Sequence, residues 1–289
     1  VGIGNIWRFP MVVGQNGGGA YLIPYLLAVV GLAIPLMILE MAVGRHWRRN
    51  LVASFGRAGK RFEIVGWLIC LIVLLILSYY LVIMGWTLAY MLFSLLGSTV
   101  TFSSFTSSLE PLAYFLISVL ATGLIVSLGV NMGIERTVSI MIPFAFLILV
   151  ALVLFCVRLP GFHPGMDFFL RPDYSILSRP GVWSAAIGQA FFSLSVGMGI
   201  LITYGAYLED DMDIPQSALI ITISDLLAAM LAGIAIFSLV FTFGLELHDA
   251  DGWRAADRSW SVTLRGYDDA PPSRVYFQTG GTVLENDIG

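Results

Sequence analysis

The chain has 289 residues, of which 58% are hydrophobic and only 12% are charged, and its formal net charge is −4 at pH 7. Because soluble domains carry roughly 25% charged residues, this composition excludes an ordinary soluble protein. Together with a mean hydropathy of +0.87, it predicts a multi-pass membrane protein.

Apolar stretches with at most one charged residue follow one another along the chain. Each approaches or exceeds the roughly 20 residues that a helix needs to cross a bilayer, which is more than the apolar part of a secretory signal peptide. They predict six spans, at residues 20–44, 64–97, 112–133, 137–157, 182–208 and 214–244, after a partial helix within residues 1–15. The predicted fold class is therefore all-α and polytopic, with a transmembrane domain at residues 1–244.

The loops predict an orientation, since Lys and Arg concentrate in short cytoplasmic loops. Residues 45–61 hold six of the fifteen Lys and Arg residues, so this loop is predicted to face the cytoplasm. Counting spans puts the acidic loop at residues 209–213 on the same side, although its own charges give no support. The expected location is the plasma or inner membrane of the cell.

Residues 245–289 break this pattern, with eight acidic and four basic residues and no spanning stretch. They account for the whole net charge, because residues 1–244 hold eleven residues of each sign. One interpretation is an extramembrane loop or a disordered tail. We favour a poorly ordered polar tail that is not native to the fold, of the kind a frameshift would produce.

Two features inside the apolar segments carry functional information. Asp225 lies near the middle of its span, where an Asp costs on the order of 2.5–3.5 kcal/mol on insertion scales. It is expected to face a cavity or a cation, or to make a hydrogen bond between helices. Glycines cluster in VGIGN at residues 1–5 and in SLSVGMG at residues 193–199. Glycine serves either close helix packing or a break, and two breaks in corresponding halves of a chain point to a transporter site.

Other kinds of chemistry find little support. No His lies in a predicted span, so a Ser–His pair cannot form there, and one intramembrane Asp cannot form a two-Asp site. An enzyme is therefore not expected. An ion channel needs repeated polar rings or filter carbonyls, and none is apparent. Cys70 and Cys156 lie in separate spans, so neither a disulfide framework nor a transition-metal site is expected.

Several long motifs, in the correct order, resemble the neurotransmitter:sodium symporter family. They are GIGNIWRFP, NGGGAYLIPYLL, GLAIPLMILEMAVGR, SYYLVIMGWTLAY, GIERTVSIMIPFAF and GQAFFSLSVGMGILITYGAYL, followed by the span around Asp225. The resemblance implies two inverted five-helix repeats, with helices 1 and 6 broken at mid-membrane, where substrate and Na⁺ bind. Against that fold, the chain is expected to be a fragment from the second half of helix 1 to helix 7.

The resemblance also implies site residues. The expected Na⁺ ligands are Val1, Asn5, Ser193 and Asp225. The expected substrate-binding residues are Ile3, Gly4, Ile76, Tyr80, Phe192, Ser193, Ser195 and Met198. Arg8 and Gln189 match the extracellular gate.

Gly2 narrows the substrate class that the resemblance implies. Family members that carry biogenic amines have Asp at this position, whereas Gly leaves room for the substrate's own carboxylate, so a neutral amino acid is favoured. Ala229 stands where chloride-dependent members have a Ser, so chloride is not expected to be required. Na⁺ is then the coupling ion, with no other cofactor.

Two functions remain open at this point. The leading one is sodium-coupled uptake of a neutral amino acid by alternating access, and the other is a truncated, non-transporting remnant of such a symporter. The expected partners are a small amino acid, Na⁺ and the lipid bilayer, without nucleic acid. The sequence favours no particular oligomeric state.

Overall fold

The structure, a computed structural model, describes residues 2–244, 276–279 and 282–285. The chain divides into two compact units, one formed by residues 1–49 together with the chain from residue 145 onward, and the other by residues 50–144. The described residues are predominantly helical, as predicted.

The first unit opens with one helix followed by a longer, irregular one. A π-helical turn at Gly4–Arg8 continues into α1, Phe9–Gln15. The next helical stretch runs from Gly18 to Trp47. It comprises a 3₁₀ turn at Gly18–Tyr21, α2 at Leu22–Ala28, a π-helical turn at Val29–Ala33 and α3 at Ile34–Trp47. Pro35 is the second residue after the π-helical turn. Because proline cannot donate to the carbonyl of Gly31, the helix widens over the turn before it.

The second unit contains two long helices and two short ones. They are α4 at Leu51–Ala58, α5 at Glu63–Leu95, α6 at Phe102–Thr106 and α7 at Glu110–Ser127. A 3₁₀ turn at Lys60–Phe62 precedes α5. Helices α5 and α7 approach closely, because a Cβ on Gly85 would lie 2.9 Å from the backbone nitrogen of Phe115.

Helix α8, Arg136–Cys156, follows a π-helical turn at Val130–Glu135 and passes from the second unit into the first. The rest of the first unit comprises α9 at Phe162–Leu170, a 3₁₀ turn at Tyr174–Ser178, α10 at Pro180–Ser193, α11 at Ile200–Gly205 and α12 at Ile214–Phe243. Strands β1, Tyr276–Thr279, and β2, Thr282–Glu285, pair antiparallel. Apart from these strands, the predicted polar tail lies outside the described residues.

Aromatic rings and small residues form the core of the first unit. The ring centroids of Phe9 and Tyr25 are 5.2 Å apart, and those of Phe169 and Phe237 are 5.3 Å apart. Helix α12 presents buried alanines, among them Ala228 and Ala229. Small side chains let helices approach closely where the bilayer gives no hydrophobic drive for association. This packing holds the middle of α12, and with it Asp225, inside the unit.

The described residues contain five helical stretches that are long and apolar enough to cross a membrane. They lie at Gly18–Trp47, Lys60–Leu95, Glu110–Ser127, Met132–Cys156 and Ile214–Phe243, close to five of the predicted spans. The sixth predicted span, residues 182–208, is divided between α10 and α11. The division coincides with the second glycine cluster.

Helices α3 and α11 are in backbone contact. A Cβ on Gly44 would lie 2.1 Å from the carbonyl oxygen of Ile202, and one on Gly205 would lie 2.5 Å from that of Met41. Only glycine permits this approach on either helix. It fixes α11, the short helix after the break, against the end of α3.

The acidic loop at residues 209–213 lies against the basic end of α3. Arg48 Nη2 donates to Asp210 Oδ1 at 2.5 Å, and Arg45 Nη1 donates to the carbonyl of Met212 at 2.5 Å. Arg45 and Arg48 and the acidic loop therefore lie at the same end of the first unit. The acidic residues that gave no topological signal partly neutralise this basic end.

Replacing Gly44 with Ala should destabilise the protein, because the added methyl group would overlap the Ile202 carbonyl. Overpacking typically costs about 1–3 kcal/mol, and a backbone contact cannot relax through a rotamer change. Thermal unfolding of the purified full chain in detergent should show a lower Tm. Gly31→Ala is the matched control, since a Cβ there meets nothing within 4 Å. Equal Tm values for the two variants would contradict the interpretation.

Candidate functional site

A break separates α10 from α11 over residues 194–199. Ser195, Gly197 and Gly199 all have positive φ, at 56°, 82° and 68°. Glycine adopts this region at no steric cost, whereas a serine there is uncommon and strained. The second glycine cluster therefore marks a broken helix, and the alternative of close packing alone is wrong for this cluster.

The break leaves the Ser193 carbonyl, at the end of α10, without a described backbone donor. The carbonyl of Phe192 accepts a hydrogen bond from the Ser195 amide at 3.3 Å. Among the described backbone amides, none that follows the break bonds to the Ser193 carbonyl. The last carbonyls of a helix carry its negative dipole end, so this oxygen is suited to a cation or an ammonium group.

Glu40, on α3, satisfies the backbone inside the break. Its Oε1 accepts a hydrogen bond from the Gly197 amide at 2.7 Å, while its Oε2 is buried without a hydrogen-bond partner in the described structure. The Gly197 amide has no helical acceptor because the helix has ended. The Glu40 carboxyl group thus replaces a helical hydrogen bond and holds the open conformation of the break.

The role of Glu40 was missed by sequence reasoning, although a signal was present. It is the one charged residue in the predicted span at residues 20–44. The rule that singles out Asp225, that an acid at bilayer depth needs a specific partner, applies equally to Glu40.

Asn5, Ser193 and Asp225 meet next to the break. Asn5 Nδ2 donates to Asp225 Oδ1 at 2.8 Å and to the Asp225 carbonyl at 3.1 Å. Ser193 Oγ donates to Asp225 Oδ2 at 2.5 Å and lies 3.3 Å from Asn5 Nδ2. The structure therefore brings three of the predicted Na⁺ ligands together from three separate parts of the sequence.

Two of the three side chains in this cluster are almost fully buried. Asn5 is 3% exposed and Asp225 is 4% exposed, and both carboxylate oxygens accept hydrogen bonds from uncharged donors. Asn5 Oδ1 in turn accepts from the Gly2 amide at 3.1 Å. Burying a carboxylate is costly unless it is hydrogen-bonded or coordinates a cation. The group offers amide, hydroxyl and carboxylate oxygens, which hard cations prefer.

A second group of predicted residues lies beside this cluster. Arg8 donates from Nη1 to Gln189 Oε1, and its guanidinium carbon lies 4.3 Å from the ring centroid of Phe192. Gln189 is fully buried and donates to the carbonyl of Gly4 at 3.4 Å. A Cβ on Gly4 would lie 3.4 Å from the Phe192 ring, so Gly4 packs directly on that ring. The predicted gate pair is thus assembled within the first unit.

The remaining predicted residues are more dispersed. Ile3 stands at the start of the helical segment before α1, and Gly2 just precedes it. Ser195 and Met198 lie in the break. Ile76 and Tyr80 lie on α5 of the second unit, where the ring of Tyr80 contacts that of Tyr79 with centroids 4.9 Å apart. Val1 lies outside the described residues.

A comparison with protein families finds a match to the sodium:neurotransmitter symporter family over residues 1–109 and 98–247. The two matched segments together cover most of the chain.

The curated relatives are also sodium-dependent transporters. An uncharacterized sodium-dependent transporter of Methanocaldococcus jannaschii is 36% identical over 271 residues, with 86% of this chain and 55% of the relative covered. The sodium-dependent neutral amino acid transporter B(0)AT2 of Bos taurus is 27% identical, with 83% of this chain and 38% of the relative covered. The chain thus spans only about half the length, or less, of these relatives.

The fold also matches a solved structure, the crystal structure of MhsT in complex with L-phenylalanine. The TM-score is 0.77 at 40% sequence identity, and the match covers 85% of this chain and 58% of MhsT. This match confirms the all-α, polytopic fold class that the sequence predicted.

Replacing Glu40 with Leu should loosen the break, because the Gly197 amide loses its acceptor. A hydrogen bond to a charged group contributes roughly 1.5–3 kcal/mol, so amide exchange at residues 194–199 should rise about tenfold or more. Hydrogen–deuterium exchange with peptide-level readout measures this. Glu40→Gln keeps an oxygen acceptor and should keep most of the protection, and peptides from α12 serve as the internal reference. Unchanged exchange in Glu40→Leu would show that the contact does not hold the break.

Proposed function

Because the chain belongs to the sodium:neurotransmitter symporter family, we propose that it acts as a sodium-coupled symporter for a neutral amino acid, working by alternating access. The observation that carries the proposal is the hydrogen-bonded, largely buried cluster of Asn5, Ser193 and Asp225 beside the break. The family consists of sodium-coupled transporters, which confirms the prediction that the protein is not an enzyme.

Sodium is proposed to bind within that cluster. Asp225 would contribute a carboxylate oxygen, while Ser193 and Asn5 would turn their hydroxyl and amide oxygens towards the ion. The hydrogen bonds among the three side chains hold them within reach of a single ion. One negative charge from Asp225 balances the charge of Na⁺, which suits a site of very low exposure.

The substrate is proposed to bind at the break beside the ion. The Ser193 carbonyl would accept from the substrate's ammonium group, while the amides of Ile3 and Gly4 would donate to its carboxylate. Gly2 leaves the space that this carboxylate needs. The B(0)AT2 relative is named for neutral amino acids and the MhsT structure contains L-phenylalanine, which favours a neutral amino acid for this chain. Phe192, Ser195 and Met198 are proposed to line the pocket for the substrate's side chain.

The proposed coupling between Na⁺ and substrate follows from Ser193, which both sites share. Ser193 would serve the ion through its hydroxyl and the substrate through its carbonyl, so occupation of one site organises the other. Two sites that favour the same arrangement of the backbone stabilise each other reciprocally. Arg8 and Gln189, already joined by a hydrogen bond, would then close above the substrate as the extracellular gate. Val1 is proposed as a ligand of a second Na⁺.

The proposed membrane is the plasma or inner membrane, with residues 45–61 on the cytoplasmic side. The concentration of Lys and Arg in this loop supports that orientation.

Sodium binding to the full chain tests the proposal directly. Saturable binding of radioactive Na⁺ to the purified protein is expected, and Asp225→Ala should weaken it tenfold or more, because a charged ligand worth roughly 1.5–3 kcal/mol is lost. Thr222→Val is the matched control. Thr222 is buried one turn earlier on α12, where its hydroxyl bonds only to the Ala218 carbonyl, so Na⁺ affinity should stay unchanged. Equal affinities in wild type and Asp225→Ala would refute the assignment.

Transport is measured separately, in liposomes with an inward Na⁺ gradient and labelled L-phenylalanine. Accumulation above the level of empty liposomes supports the symporter. Na⁺ binding without accumulation of L-phenylalanine would support the proposed Na⁺ site but favour a non-transporting remnant for this chain. MhsT, whose crystal structure contains L-phenylalanine, is run in parallel as the positive control for the assay.

Chloride is proposed to be dispensable, because Asp225 supplies the negative charge and Ala229 offers no hydroxyl one turn later. Replacement of chloride by gluconate should leave the Na⁺ affinity of the full chain unchanged within about twofold, since no charged partner is removed from the site. Ala229→Ser together with Asp225→Asn should create a dependence on chloride. A collapse of wild-type Na⁺ binding in gluconate would overturn this part of the proposal.

A further inference from the structure

A basic bend joins α4 to α5 in the second unit. Arg57 lies in the last turn of α4, and Lys60 and Arg61 lie in the 3₁₀ turn that leads into α5. All three residues are exposed. The charges fall within five positions of the sequence, so they form a single positive patch, which we call the basic bend.

Helix α4 folds back along the first turns of α5. A Cβ on Gly66 would lie 2.8 Å from Cα of Val52, and one on Gly56 would lie 2.7 Å from Glu63 Oε1. Positions in α4 thus pair with positions in α5 in reverse order, which is an antiparallel arrangement. Leu51 is buried on the inner side of α4. The basic bend is therefore the tip of a helical hairpin and points along the axis of α5.

The bend stands at the start of a candidate membrane span. The candidate span begins at Lys60 and ends at Leu95, and directly after the bend its outer face is apolar, with Ile64 at 64% and Trp67 at 65% exposure. An exposed tryptophan at the end of a span is typical of the interfacial aromatic belt. Headgroups and basic side chains are thus at the same depth.

Glu63 lies two residues beyond the bend and offsets part of its charge, which leaves three positive charges against one negative charge. The ion pairs of Arg48 with Asp210 and of Arg171 with Asp167 do not involve the bend. The Arg61 guanidinium carbon lies 5.1 Å from the centroid of the Phe62 ring, a contact that restricts the guanidinium without using its donors. Arginine presents those donors in a fork that matches phosphate oxygens.

We propose that the basic bend, formed by Arg57, Lys60 and Arg61, is a binding surface for anionic phospholipid headgroups, of the phosphatidylglycerol kind. Basic residues next to a span are attracted to anionic lipid by an amount that corresponds to roughly fivefold in affinity per residue. The predicted orientation places this lipid in the cytoplasmic leaflet.

Trp67 provides a local probe for the test. The full chain is reconstituted into nanodiscs of phosphatidylcholine that contain a minor fraction of phosphatidylglycerol, with brominated chains on one lipid at a time. The contribution of Trp67 is the difference in quenching between wild type and Trp67→Phe. Brominated phosphatidylglycerol should quench Trp67 several-fold more than the same mole fraction of brominated phosphatidylcholine, and high salt should remove the excess, because exposed charges are screened.

Charge variants decide whether the bend is responsible. In Arg57→Gln/Lys60→Gln/Arg61→Gln the excess quenching should vanish, whereas Arg57→Lys/Arg61→Lys should retain it. The matched control is Arg158→Gln/Arg171→Gln/Arg179→Gln, which removes the same charge from exposed residues of the first unit and should leave Trp67 quenching unchanged. Equal quenching by the two lipids in wild type, or persistence of the excess in the triple bend variant, would overturn the proposal.

A soluble anion is the competing occupant. Inorganic phosphate should reduce the excess quenching no more than sodium chloride of equal ionic strength. A stronger effect of phosphate would mean that the bend binds free anions and would overturn the lipid assignment.

Discussion

The backbone of a helix that ends inside a membrane must find hydrogen-bond partners without water, and the first unit is arranged around that demand. The break between α10 and α11 frees amides and carbonyls in surroundings where each unsatisfied group costs several kcal/mol. Glu40 accepts from the Gly197 amide, whereas none of the described backbone amides after the break bonds to the Ser193 carbonyl. Helix α3 supplies that acceptor and also holds α11 through the contact of Gly44 with Ile202. Helix α3 thus contacts both the break itself and the helix that follows it.

Much of this arrangement was predictable because it depends on residue types that are energetically unfavourable inside a membrane helix. Glycine clusters, a lone Asp and an uncharged span are readable without coordinates, and they located the break, Asp225 and the membrane helices. The meeting of Asn5, Ser193 and Asp225 followed only from the resemblance to the family, since positions so far apart in sequence carry no local signal. The structure contains that contact as four hydrogen bonds.

Other features could not be predicted, for physical reasons. The approach of α3 to α11 at Gly44 and Gly205 depends on the crossing of two helices, and a single glycine in a helix gives no sign of what it faces. The bonds of Arg45 and Arg48 to the loop before α12 need the three-dimensional path of the chain. The antiparallel return of α4 along α5 depends on the small size of Gly66, a residue that is ordinary in sequence. In these helix crossings, side-chain size decides the geometry, and hydropathy does not report it.

Ser195 carries a consequence of its own. It is the one residue of the break with positive φ that is not glycine, so a change to glycine would relieve strain of about 1–2 kcal/mol. Random mutagenesis that rewards heat resistance alone would favour glycine at this position, while a screen that rewards uptake would favour the serine if its hydroxyl lines the pocket. Substitutions at this position therefore separate thermal stability from transport activity.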